Sequence, residues 1–135
     1  MNTSFTLFRL QTQDTLRMKM NARLKEIERI IAADKEVSQA NERVAEAQEL
    51  NRSAESALQS IMAQVKEKKI KRELTQANLF SGKVRNPKEL QDLQAETYAL
   101  DRTIAKLEEE QLQAMMALEE TTSTLHQAES ELQKV

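Results

Sequence analysis

The chain contains a single glycine, Gly82, and a single proline, Pro87, and they lie five positions apart in the middle of long stretches without a helix breaker. A glycine accepts the left-handed backbone conformation that ends a helix, and a proline suits the first position of a helix. The two residues occur in that order. They therefore predict that one helix ends near Phe80 and that a second begins at Pro87.

The residues around the proline support this boundary. Asn86 is a favourable N-cap residue, and Glu89 lies three positions further on, where it can complete a capping box. Because residues 81–86 form only a short connection, the two helices should lie side by side and antiparallel. We accordingly assign Gly82, Asn86, Pro87 and Glu89 to the structural turn.

Composition favours a helical rod over a globule, since 31% of the 135 residues are charged and only 3% are aromatic. We predict an all-α fold, a long antiparallel two-helix coiled-coil hairpin that forms one domain over residues 1–135. Its first helix should cover about residues 4–80, its tip loop residues 81–86 and its second helix residues 87–135.

Apolar residues at heptad spacing predict the packing surface, or seam, of the first helix. The repeat starts at Met20, Leu24, Ile27 and Ile31, and then slips by one residue at Val37. After the slip the seam comprises Val37, Ala40, Val44, Ala47, Asn51, Ala54, Leu58, Ile61 and Val65, and it reaches Lys68 and Arg72. Asn51 is a polar seam residue, which we interpret as a register device or a solvent-facing side chain, with partner contact as the alternative.

The second helix has a more regular seam, in which polar residues are few. It comprises Leu90, Leu93, Thr97, Leu100, Ile104, Leu107, Gln111, Ala114, Leu118, Thr121, Leu125, Ala128, Leu132 and Val135. If the pairing is centred near residue 83, Met115 and Met116 face the Asn51–Ala54 region and can fill space beside its alanines. Val135 then lies opposite about residue 32. Residues 16–31 are left without a partner in the chain, so we expect self-association through them or a missing C-terminal continuation.

Charge is distributed unevenly along the chain. Residues 66–89 carry eight basic and three acidic residues, a net charge of +5, whereas residues 90–135 carry a net charge of −7. A compact basic tip with an exposed aromatic ring is typical of a site that binds RNA or protein. The alternative is that these lysines only complement the helix dipole and favour solubility. The candidate partner-binding residues are Lys68, Lys69, Lys71, Arg72, Phe80, Lys83, Arg85 and Lys88.

Nothing in the sequence indicates catalysis, so we predict no enzymatic activity, no cofactor and no metal site. The chain has no cysteine, and its single histidine, His126, lies on the acidic helix. The run of acids at residues 108–110 points in different directions around a helix and cannot converge on one ion. No apolar run approaches the ~20 residues that span a bilayer, and residues 1–12 lack a signal-peptide core. We expect a cytoplasmic protein that does not bind membranes.

The segment around the turn, residues 78–93 with the string LFSGKVRNPKEL, resembles the hairpin tip of the bacterial C4-type zinc-ribbon proteins. The stretch LEEEQLQAMM at residues 107–116 resembles their second-helix signature. In that family Phe80 is usually a tyrosine and Arg85 a threonine. The family's zinc-binding cysteines are missing here, so the zinc ribbon and its function cannot be transferred. The resemblance implies an interaction module, because some members are linked to sigma-factor binding, RNA binding and the regulation of flagellar or related secretion systems.

Four hypotheses for the function remain. The first is a non-enzymatic adaptor or regulator that binds protein or RNA through its tip. The alternatives are a prefoldin-like chaperone subunit, whose helices would be joined by strands, a helical arm that contacts transfer RNA, and a purely structural coiled coil.

Overall fold

The computed structural model describes residues 3–135, and two helices account for nearly all of them. Helix α1 is Thr3–Phe80 and helix α2 is Pro87–Lys134, with residues 81–86 between them. The helices pack against each other in antiparallel orientation, and no strand occurs in residues 3–135. The predicted all-α coiled-coil hairpin is confirmed. A prefoldin-like arrangement, in which strands join the helices, is not found in this range.

The hydrophobic contact between α1 and α2 follows the predicted seam. Leu100 and Ile104 of α2 are buried, as are Val65, Ala40 and Ala47 of α1. Leu93 and Leu107 are half-buried on the same face of α2, as expected for residues that point inward. A pair of helices covers each seam residue from one side only, so burial is spread thinly over many layers.

A polar layer crosses the seam at Asn51. The amide oxygen Oδ1 of Asn51 accepts hydrogen bonds from the hydroxyls of Thr121 (2.9 Å) and Thr122 (3.0 Å). The Thr121 hydroxyl also lies 2.9 Å from the carbonyl oxygen of Leu118. Asn51 therefore acts as the register device of the first interpretation, because a shift of either helix would leave its amide without these partners.

The register differs from the predicted one. Pairing centred near residue 83 would place Asn51 opposite residue 115, but Asn51 contacts Thr121 and Thr122. Near the tip, Arg72 forms an ion pair with Asp101, which gives the same shifted alignment. Phe80, the last residue of α1, is thus level with Leu93, so α2 begins about 9 Å beyond the end of α1 at 1.5 Å per residue.

The shift has a physical cause in the loop. Pairing centred near residue 83 requires a tight and symmetric turn, whereas residues 83–86 have no regular secondary structure and Asn86 has an extended backbone (φ −71°, ψ 122°). The loop thus continues along the hairpin axis before α2 starts. As a consequence, Met115 and Met116 do not face the Asn51–Ala54 region but lie nearer Leu58, and both side chains are exposed. The proposed filling of space by these methionines is wrong.

The shift also changes the length of the unpaired segment. Arg43 forms an ion pair with Glu131 (3.4 Å), so the end of α2 is level with about residue 39 and not with residue 32. All residues from Thr3 to Gln39 are exposed, and Ala40 is the first buried residue of α1. We call residues 3–39 the overhang, and residues 40–65 together with 108–134 the stem. Along the described residues, neither helix contains a stretch apolar enough to cross a membrane.

The seam should carry the stability of the hairpin. Leu100 is 7% exposed, whereas Leu112 on the outer face of α2 is 61% exposed. Leu100→Ala should lower the free energy of unfolding by about 2–3 kcal/mol through lost burial and an unfilled cavity. The matched variant Leu112→Ala should change it by less than about 0.5 kcal/mol. Urea unfolding followed by circular dichroism measures both, and equal losses would contradict the packing described.

Candidate interaction surface at the hairpin tip

The end of α1 is closed by its glycine and by the serine before it. Gly82 has a φ of 74°, in the left-handed region that glycine adopts readily and that is unfavourable for most other residues. The Ser81 hydroxyl donates a hydrogen bond to the carbonyl oxygen of Asn78 (2.9 Å) and accepts one from the backbone N–H of Lys83 (3.3 Å). These bonds satisfy polar groups that the end of a helix leaves free.

The start of α2 is capped by Asn86. Its side-chain oxygen accepts a hydrogen bond from the backbone N–H of Lys88 (3.0 Å), and its carbonyl accepts one from Leu90 (3.0 Å). Pro87 occupies the first helical position. The capping box is incomplete, because no hydrogen bond of the described residues joins Glu89 to Asn86. Glu89 remains a first-turn acid, favourably placed near the positive end of the helix dipole.

The far end of the hairpin, formed by residues 80–88, is called the summit here. Phe80 is 75% exposed, the largest exposed fraction among the large apolar side chains of residues 3–135. Lys83, Arg85 and Lys88 are exposed as well. Within the described chain none of these three cations takes part in an ion pair shorter than 4.0 Å, so their charges face solvent.

The other four predicted tip residues lie lower, in a region that we call the neck, residues 66–72. Lys69 pairs with Glu108 (3.0 Å) and Arg72 with Asp101, both across the two helices. Lys68 is half-buried in the seam, and Lys71 is exposed. Arg72 and Lys68 are about 12 and 18 Å below Phe80 along α1. The structure therefore separates the eight predicted residues into a summit group and a neck group, and two of the neck cations serve helix pairing.

The end of the hairpin remains basic when the adjoining part of α2 is included. Residues 66–107 contain ten basic and six acidic residues, a net charge of +4. The stem has a net charge of −8. Three of the six acids, Glu89, Asp92 and Glu96, lie on the first turns of α2 close to the summit, so the positive charge is not uniform there.

Sequence reasoning missed several apolar residues near the tip. Val84 is half-buried and lines a shallow groove of about 270 Å³ together with Leu93 and the acids of the first α2 turns. Ile70 and Leu74 are exposed on the outer face of α1. Ile70 and Leu74 do not occupy seam positions of the heptad repeat, so the sequence pattern could have predicted that they are exposed. Val84 had no such signal, because its burial depends on the path of the loop.

The remaining candidates for chemistry show no convergent arrangement. His126 is exposed on α2, and its Nδ1 lies 3.9 Å from a carboxylate oxygen of Glu129. Across residues 3–135 no group of three or more histidines, cysteines or acids is close enough to hold a metal ion.

Comparison with known families places this geometry in context. The family model of the CT398-like coiled coil hairpin domain matches residues 10–135, which includes the stem, the neck and the summit. The chain belongs to this family. No curated protein and no solved structure matches it. The match describes the hairpin domain, so the relation to the zinc-ribbon proteins and a bacterial origin remain predictions.

The CT398-like hairpin should depend on its N-cap. Asn86→Ala removes the acceptor of the Lys88 N–H and should lower the free energy of unfolding by about 1 kcal/mol. Asn41→Ala is the matched control, since Asn41 is exposed inside α1, where alanine is the better helix former. The control should keep or slightly raise the thermal midpoint. A loss of equal size in both variants would contradict the capping role.

Proposed function

We propose that this protein is a non-enzymatic adaptor that binds another protein through the hairpin summit. A coiled-coil hairpin is typically a structural or interaction fold, and the two helices of residues 3–135, packed along one seam, form an open surface without an enclosed site. The observation that carries the proposal is that Phe80 and the three cations of the summit, Lys83, Arg85 and Lys88, are all exposed at one end of the hairpin. An aromatic ring that the fold leaves in water, at an end of the molecule that also carries exposed cations, has the composition of an interface anchor.

Several observations favour protein over RNA as the partner. Lys69 and Arg72 are engaged with Glu108 and Asp101, so they are less available to phosphates. Acidic side chains at residues 89, 92 and 96 lie next to the summit and would repel a phosphate backbone. The exposed Ile70 and Leu74 add apolar surface below Phe80, which a protein can cover and a phosphate backbone cannot.

The partner proposal is tested by removing the aromatic anchor. Proteins recovered with the parent chain from a lysate of the source organism would be identified, and their affinities would be measured with purified variants. Phe80→Ala should weaken binding about 30-fold, since truncating a desolvated aromatic anchor commonly costs roughly 2 kcal/mol. Phe8→Ala is the matched control, because Phe8 is also exposed but lies in the overhang. It should bind within about twofold of the parent.

RNA binding is the competing outcome and has a different signature. A filter-binding titration against total RNA, repeated over a range of salt concentrations, gives the number of phosphate contacts from the slope. If RNA were the partner, Lys83→Ala with Arg85→Ala would flatten that slope by up to about two units, and Phe80→Ala would matter less. Unaltered affinity of both summit variants for every recovered partner would show that the summit serves folding alone. None of these substitutions touches the seam, so melting temperatures should stay close to that of the parent.

A further inference from the structure

The overhang carries an apolar seam that nothing in the described chain covers. Met20, Leu24, Ile27 and Ile31 recur at heptad spacing and are 71%, 55%, 45% and 61% exposed. This seam joins the stem seam, which begins at Ala40, where the end of α2 ceases to cover α1. The position of α2 shows which kind of element fits there, namely a helix antiparallel to α1.

We propose that the overhang of a second copy of this chain is that helix, so that two copies form an antiparallel dimer. The seam is self-complementary in this orientation. When Leu24 faces Ile27 of the second copy, Met20 faces Ile31 of the second copy, and the two-fold axis repeats both layers. The result is four consecutive apolar layers built from eight side chains.

The residues at either end of these layers are charged and of opposite sign. One heptad step outward from the apolar layers, the seam positions are Arg17 and Asp34. The same register places Arg17 against Asp34 of the second copy, and it brings Asp14 beside Lys35 of the second copy. Ion-pair layers thus close both ends of the contact. They also select this alignment, since a shift by one heptad in either direction would oppose Arg17 to Ile27 or Asp34 to Leu24.

The charge along the overhang favours the antiparallel orientation over the parallel one. Residues 3–25 contain five bases and one acid, whereas residues 26–37 contain four acids and two bases. An antiparallel pair brings the basic half of each copy beside the acidic half of the other. A parallel pair in register would oppose Arg17 to Arg17 and Asp34 to Asp34. The antiparallel contact also has two-fold symmetry and closes on itself, so it ends at two copies.

The contact is long enough to hold a dimer. Residues 14–37 take part, which corresponds to more than three heptads and about 36 Å of helix. Residue 12 of each copy then reaches the level where α2 of the other copy ends. Residues 3–11, with Phe5, Leu7 and Phe8, continue over the outer face of that end. Because most of the stability of a helix in a protein comes from packing of its apolar face, pairing also accounts for the helical state of the overhang.

Sedimentation equilibrium on the chain of 135 residues tests the proposal through charge reversal. The parent should be a concentration-dependent dimer. Arg17→Asp alone and Asp34→Arg alone should each weaken the dimer about tenfold or more, because each sets like charges at both ends of the contact. The double variant should return to within about threefold of the parent. Arg29→Asp is the control, since Arg29 lies on the face opposite the seam, and it should leave the dimer unchanged.

A spin label decides the orientation independently. The chain has no cysteine, so Glu36→Cys gives a single labelling position on the outer face of the overhang. In the antiparallel dimer the two labels should lie roughly 30 Å or more apart, whereas a parallel dimer would bring them within about 20 Å. A monomer at every concentration, a dimer that ignores both charge reversals, or closely spaced labels would each overturn the proposal.

Discussion

The contact between α1 and α2 along a single narrow seam is the interaction on which this molecule depends. Two helices shield each other from one side only, and even the best-packed leucine, Leu100, keeps some exposure to solvent. The interface compensates by repetition, since similar layers recur from Ala40 to the tip. Small residues at positions 40 and 47 let the helices approach closely where larger side chains would hold them apart. Stability is therefore distributed, and no single layer forms a core in the sense of a globular domain.

Polar seam residues determine how the two helices align. Apolar layers of similar size tolerate a shift by one heptad, whereas a shift would take the amide oxygen of Asn51 away from the hydroxyls of Thr121 and Thr122, from which it accepts hydrogen bonds. The Arg72–Asp101 pair repeats the same alignment near the tip. Because both helices are rigid rods, this alignment determines what happens at both ends. With this alignment, α2 begins beyond the level of Phe80, and residues 3–39 have no part of α2 opposite them.

The two ends differ in chemistry in a way that suits two kinds of contact. The summit is small, basic and carries one aromatic ring, which fits a localised anchor on a foreign partner. The overhang is long, regular and of mixed charge, which fits a second helix of matching period. The acidic stem between them separates the two surfaces by its length. Under the two proposals, a dimer joined through its overhangs would present two summits at opposite ends of one rod.

Much of the fold followed from the sequence because it rests on local rules. One glycine and one proline placed the turn, since their backbone preferences act within a few residues, and the heptad pattern identified the face of each helix that is buried. The regular spacing also marked residues 16–31 as an apolar seam. These features can be predicted without knowing the partner helix, because the apolar face of each helix is determined by its own sequence.

Only the tertiary structure decided the axial alignment of the two helices. The ion pairs and the exposure of side chains near the tip follow from that alignment. Heptad patterns are nearly invariant to a shift along the axis, and the sequence did not reveal that residues 83–86 extend along the hairpin instead of turning tightly. In the shifted alignment Lys69 and Arg72 form ion pairs with Glu108 and Asp101. The run of basic residues around them in the sequence had suggested cations without partners. The shift also exposed Met115 and Met116 and buried part of Val84. Side chains that meet across two helices depend on the path of the loop between them, and a distance of six residues along the chain does not specify that path.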